Sequence, residues 1–185
     1  MNGVARPLLV LDLDEALWHG VPDECAPSGV RFLLRPHVGA FLHEVSAVFD
    51  LAVWTAATED WMRSGLESLR KETGFDLAER AFFLWHRERC TPRRDAEGNY
   101  VYRKPARKFR AGWVRSRYPA DRILVMDDQV ANDACGYGHL VKVTSWTGDP
   151  DDDELARLAR YLVSIAHEPN FRRLEKRAWR GTRVP

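Results

Sequence analysis

Four short apolar runs punctuate the chain: 7–14 (PLLVLDLD), 50–56 (DLAVWTA), 122–128 (RILVMDD) and 140–146 (LVKVTSW). The first three are continuous rather than alternating, as expected of strands covered on both faces in a parallel sheet. The fourth reads as their neighbour. Helical periodicity fills the gaps between them. After Pro36, a residue type favoured in a first helical turn, Val38, Phe41, Leu42 and Val45 recur at i, i+3, i+4 and i+7. Residues 59–71 (EDWMRSGLESLRK) predict a second helix, weakened by Gly65. The acidic cluster Asp151 to Glu154 favours a helix start, and Leu155, Leu158, Ala159, Leu162 and Ala166 supply one apolar face. Phe171, Leu174 and Ala178 predict a final helix, so that C-terminal helices are expected over 152–180.

Strands alternating with helices predict an α/β fold with a central parallel sheet, whose active groups gather at the strands' C-terminal ends. No repeat, low-complexity tract or Gly/Ser linker divides the chain, so 1–185 reads as a single domain. A small insertion is expected at about 86–102, around a turn at Glu97-Gly98-Asn99, where it would shape substrate access.

The strand-end rule picks out Asp12 and Asp14 from the first run, Thr55 from the second, and Asp127 and Asp128 from the third. In a strand, side chains at i and i+2 point the same way, so Asp12 and Asp14 would converge and repel unless a cation or a proton sits between them. An ordinary strand running into a turn, with Asp12 exposed and Asp14 capping, fits that spacing too. Lys104 precedes the helix that leads into the third run, and supplies a cation.

Composition narrows the field. The formal net charge is +1, so no global field demands a polyanionic partner. Basic residues bunch at 103–110 (RKPARKFR) and 172–183, as solvated helix faces or as local patches open to nucleic acid. Cys25, Cys90 and Cys135 have no metal-ligand spacing, and neither have His19, His37, His43, His86, His139 and His167. The N-terminus lacks a signal peptide's order and no apolar stretch approaches a bilayer span, so the expectation is a cytoplasmic protein with no membrane association.

Carboxylates, a hydroxyl and a lysine suit phosphoryl transfer through a covalent aspartyl phosphate. The phosphate's charge must be neutralised, which Mg²⁺ does through oxygen ligands. A second carboxyl protonates the leaving oxygen and later deprotonates water.

With those residues in place the sequence resembles the haloacid dehalogenase superfamily, and within it the FCP/SCP-like (NLI-interacting-factor-like) phosphatases. The matching stretches, in order, are LVLDLDEALWH, LLRPHVGAFLHEV, FDLAVWTAAT, RERC with GNYVYRKPARKF, RILVMDDQVAN, and VTSW before an acidic helix start. The resemblance implies a Rossmann-like α/β fold with small hairpin caps and an Mg²⁺-dependent phosphatase acting on phosphoserine or phosphothreonine in proteins, or on another large phosphomonoester. By the same resemblance Asp12 is the nucleophile, and Asp14 the acid/base whose backbone carbonyl also meets the metal. Thr55 with Ala56, and Lys104, hold the phosphate, with Arg103 a rival for the lysine's place. Asp128 is a metal ligand, and Asp127 supports lysine and metal.

Two departures stand out. Ala16 occupies a position where the family usually has a threonine hydroxyl that helps fix the acid/base, and the link between His19 and Arg35 is short. Ala16 keeps open an alternative in which the fold grips peptides or proteins with weak catalysis. The basic segments and short link keep open a phosphatase for nucleic-acid ends or small metabolites. The tryptophans, Trp18 and Trp54 among them, read as core or as site walls.

Overall fold

The computed structural model describes residues 6–26, 29–129 and 138–181. Cys135 and the end of the RILVMDDQVAN stretch lie outside them. Five parallel strands form the central sheet: β1 (Leu8–Leu11), β4 (Asp50–Trp54), β5 (Leu84–Trp85), β8 (Ile123–Asp127) and β9 (Leu140–Lys142), in the order β5-β4-β1-β8-β9. The α/β expectation is borne out, with β1 at the centre and all four of its residues buried.

Alternation along β1 builds two cores. Leu9 and Leu11 join the larger one, with Phe41, Leu42 and Val45 of α1 (Val38–Val48), Met62 and Leu66 of α2 (Glu59–Thr73), and Leu155, Leu158 and Leu162 of α5 (Glu154–Ile165). Leu8 and Val10 face the other way, towards Trp54, Trp85, Phe109, Val114 and Tyr118. Two shorter helices, α3 (Leu77–Arg80) and α4 (Gly112–Arg115), lie in the connections. Among the described residues no helix is long and apolar enough to cross a membrane.

Two hairpins rise beside the sheet. In the first, β2 (Trp18–Pro22) pairs antiparallel with β3 (Val30–Leu34), Trp18 opposite Leu34. The local pattern does not mark these strands, because Gly20, Pro22 and Arg31 interrupt any apolar alternation; the hairpin is one of the small caps that the family resemblance implies. In the second, β6 (Thr91–Arg94) pairs with β7 (Tyr100–Arg103), and Gly98 takes a positive φ of 86° in the turn.

The final helix expected at 171–178 does not form, so the C-terminal helical region is α5 followed by single 3₁₀ turns at Phe171–Arg173 and Trp179–Gly181. Tertiary contacts override the helical spacing. The Lys176 ammonium donates to the Phe171 and Leu174 carbonyls at 2.6 and 3.0 Å. Phe171 packs near Phe49, and the Trp179 indole donates to the Lys142 carbonyl at 2.8 Å.

Arg35 is the main polar tie in the larger core. Its side chain is fully buried and forks onto Asp152 through Nε and Nη2 at 2.9 and 2.8 Å, with Glu154 at 2.7 Å from Nη2. Its Nη1 donates to the carbonyls of Ala16 and Thr144 at 3.3 and 3.0 Å. The acidic run at 151–154 thus does more than favour a helix start: it fixes the loop after β1 and the segment after β9 to the beginning of α5. Replacing Arg35 by alanine leaves Glu154 buried with less compensation, and should cost about 3–5 kcal/mol in urea unfolding. A loss below about 1 kcal/mol would show that the network does not hold these segments together.

Candidate active site

β1 and β8 are neighbours in register, Leu11 beside Met126, so the residues after their last paired positions meet at one sheet edge. The Asp12 amide donates to the Met126 carbonyl at 2.9 Å, fixing Asp12 next to Asp127. Carboxylate oxygens of Asp12, Asp127 and Asp128, all buried residues, lie within 4.8 Å of one another.

One lysine faces the three acids. The Lys104 ammonium sits 2.7 Å from Asp12 Oδ1 and 2.7 Å from Asp127 Oδ2, and is itself buried. Burial alone would lower its pKa, but the two carboxylates outweigh that and hold it well above the ordinary lysine range. Arg103, its rival from the sequence, is exposed at the end of β7.

The cluster carries more acid than base. Burial raises the Asp12 pKa well above the usual carboxylate range, Asp127 adds to the rise, and Lys104 opposes it. Asp128 is also raised, by burial first and then by Asp127. Among the described residues Asp128 Oδ2 has no hydrogen-bond partner. Three carboxylates against one ammonium leave two formal negative charges in a dry site, with oxygen donors only. That donor set and that surplus suit a hard divalent cation such as Mg²⁺.

Asp14 stands apart from this cluster. The expectation that Asp12 and Asp14 share one face assumes a strand through residue 14, whereas β1 stops at Leu11 and Glu15 turns with a φ of 59°. Asp14 Oδ1 accepts from the indole nitrogens of Trp18 and Trp61 at 3.1 and 2.6 Å. Its Oδ2 accepts from the Thr55 hydroxyl at 3.2 Å. Thr55, one residue beyond β4 and buried, also receives the Ala57 amide on its hydroxyl at 3.0 Å. Ala56 is partly exposed, and its carbonyl accepts from Arg87 Nε at 2.8 Å.

A cavity of about 660 Å³ opens between the start of α2 and the β6–β7 hairpin. Thr58, Glu59, His86, Arg87, Cys90 and Tyr102 line it. Cys90 links cavity and site, its thiol lying 3.5 Å from the Thr55 carbonyl.

Sequence reasoning missed the two indole donors on Asp14 and the buried Arg35. A signal for the indoles is present in hindsight: glycines at 20 and 65 interrupt otherwise regular elements, and each faces a tryptophan ring.

A parallel sheet with buried carboxylates at its strand ends fits the haloacid dehalogenase-type fold, of the FCP/SCP-like class, that the sequence resembles. The chain belongs to the NLI interacting factor-like phosphatase family, whose model matches residues 7–172. It is 29% identical over 183 residues to the CTD nuclear envelope phosphatase 1 homolog of Drosophila melanogaster, covering 88% of this chain and 68% of that protein. It is 27% identical over 184 residues to the Homo sapiens Ubiquitin-like domain-containing CTD phosphatase 1, covering 94% and 54%. With Nuclear envelope morphology protein 1 of Saccharomyces cerevisiae the identity is 23% over 193 residues, covering 94% of this chain and 42% of the yeast protein. The chain therefore spans less than half of the yeast relative and about half of the human one. Among solved structures, the fission yeast RNA polymerase II CTD phosphatase Fcp1, bound to beryllium fluoride, shares the fold with a TM-score of 0.50 at 16% identity, covering 87% of this chain and 50% of that one.

The cation reading of the cluster is directly testable. Without divalent ions, Asp128→Asn should unfold at or above the wild-type temperature, because it removes a buried charge whose Oδ2 lacks a partner. Wild type should gain about 2–3 kcal/mol from Mg²⁺ at a hundredfold excess over its Kd, and Asp128→Asn should gain little. Equal Mg²⁺-dependent melting shifts in both proteins would remove Asp128 from the cation site.

Proposed function

We propose that this domain hydrolyses phosphomonoesters in two displacements at Asp12. The observation that carries the reading is the pair of contrasting acids. Asp12 lies in the buried lysine cluster, while Asp14 is held two residues away on separate donors. Two carboxyl groups in different surroundings support two roles.

In the first displacement an Asp12 oxygen attacks phosphorus, the ester oxygen leaves, and Asp14 gives it a proton. In the second, water attacks the phosphorus of phospho-Asp12 and passes its proton to Asp14, returning both acids to their starting states. Thr55, Ala56 and Lys104 hold the phosphoryl oxygens. Lys104 already contacts Asp12, so its charge lies where negative charge builds up. Asp12, Asp127, Asp128 and the Asp14 carbonyl would hold Mg²⁺, which neutralises phosphate charge when bound. Asp127 also orders the lysine and accepts the Gln129 amide at 2.8 Å.

The substrate we favour is a phosphorylated serine or threonine on a protein. The relatives are named as phosphatases of a CTD or of the nuclear envelope, and the open cavity that Cys90 joins to Thr55 has room for flanking residues. Arg87 lies over the Tyr102 ring at 4.8 Å in that cavity, a mixed cationic and aromatic wall suited to peptide.

Phosphate release from an aryl phosphate tests the chemistry. Wild type should turn over only with Mg²⁺, and Asp12→Asn should fall to the uncatalysed background. Turnover that persists in Asp12→Asn would remove Asp12 as nucleophile.

A further inference from the structure

We infer that Trp18 and Trp61 are positioning residues for Asp14, supplying from two different elements the hold that a hydroxyl at position 16 does not provide in this chain. The inference rests on the reading of Asp14 as the acid/base. Its evidence is geometric.

Both indole N–H groups aim at the same oxygen, Asp14 Oδ1, at 3.1 and 2.6 Å. Trp18 begins β2 and Trp61 lies in the first turn of α2, so the two donors approach from separate parts of the fold. Two N–H donors meet Oδ1 and the Thr55 hydroxyl meets Oδ2 at 3.2 Å, so both oxygens are held. The carboxyl plane is then fixed by three donors. A carboxyl that delivers a proton and later removes one gains from such fixation, because its productive direction is set before substrate arrives.

Both rings are seated reciprocally. A Cβ at Gly65 of α2 would lie 2.5 Å from Cζ2 of Trp18, and a Cβ at Gly20 of β2 would lie 2.4 Å from Cζ2 of Trp61. Each tryptophan therefore rests on the bare backbone of the other's element. Phe32 meets both rings edge to face, at centroid distances of 5.7 and 5.1 Å. This explains Gly65, a helix-interior glycine that costs helix stability and has no turn to make there. Plain core packing would account for one buried indole finding a partner. It does not account for two indoles, each with a glycine cleared for it, choosing one oxygen of the acid/base candidate. Ala16 itself is buried with its carbonyl held by Arg35, and offers Asp14 no donor side chain.

The test compares Trp61→Phe, Trp18→Phe and the double variant with wild type on two probes, phenyl phosphate and p-nitrophenyl phosphate. Phenylalanine removes the N–H donor together with the outer ring atoms that fill each glycine seat, so the contrast between the two probes, and not the size of the loss, separates the donor from the packing. For each single variant kcat/KM on phenyl phosphate should fall about tenfold, the worth of one hydrogen bond to a charged group. The fall on p-nitrophenyl phosphate should be smaller, because its leaving group departs without a proton. The Mg²⁺-dependent melting shift should stay at the wild-type value. Equal losses on both probes would mean a structural role only, and unchanged kcat/KM in the double variant would remove the indoles from catalysis; either result overturns the inference. Asp12→Asn separates the two levels: if its turnover is lost while the indole variants match wild type, only the inference fails, and if its turnover survives, the underlying reading fails too.

Discussion

A single buried ammonium organises the candidate site. Lys104 reaches from the loop after β7 to the ends of β1 and β8, and contacts one carboxylate from each. Without it the ends of two adjacent strands would carry buried acids in direct repulsion. With it the charge is only partly balanced, and in the proposed reading a divalent cation and then a phosphate would take up the remainder. The sheet supplies adjacency, and the lysine makes that adjacency tolerable.

The same device recurs at Arg35 on a larger scale. Arg35 joins three segments where Lys104 joins two, and the two acids it meets, Asp152 and Glu154, are matched by Arg35 and Arg180 together, with the remaining Arg35 donors on carbonyls. The difference separates structure from chemistry. Arg35 ends in a satisfied network that fixes the loop carrying Asp14, whereas the Lys104 cluster keeps surplus negative charge and an Asp128 oxygen with no hydrogen-bond partner among the described residues. One buried cation closes a core; the other leaves a site open.

Much of this was legible in the residues. Asp12, Thr55, Asp127 and Asp128 could be placed because continuous apolar runs mark buried parallel strands and the chemistry of such sheets lies at their ends. The choice between Arg103 and Lys104 could not be made, because it depends on the β6–β7 register, which puts Arg103 opposite Thr91 and turns the next residue inward. The β2–β3 hairpin is implied by the family resemblance and not by the local pattern, because its strands are short and contain Gly20, Pro22 and Arg31. The 171–178 segment misled for the opposite reason: Phe171, Leu174 and Ala178 have a spacing that imitates a helix, but Phe171 is buried by contacts with distant parts of the chain while Ala178 is exposed. The direction of Asp14 depends on where β1 ends and on a left-handed residue at Glu15, which strand periodicity does not reveal.

The crossed seating of Trp18 on Gly65 and Trp61 on Gly20 carries a consequence for how such a domain diverges. Each ring fits only while its glycine persists, and each glycine is worth keeping only while its ring is there. The four positions are therefore two interlocked pairs, and a lineage leaves this arrangement by changing both members of a pair in close succession.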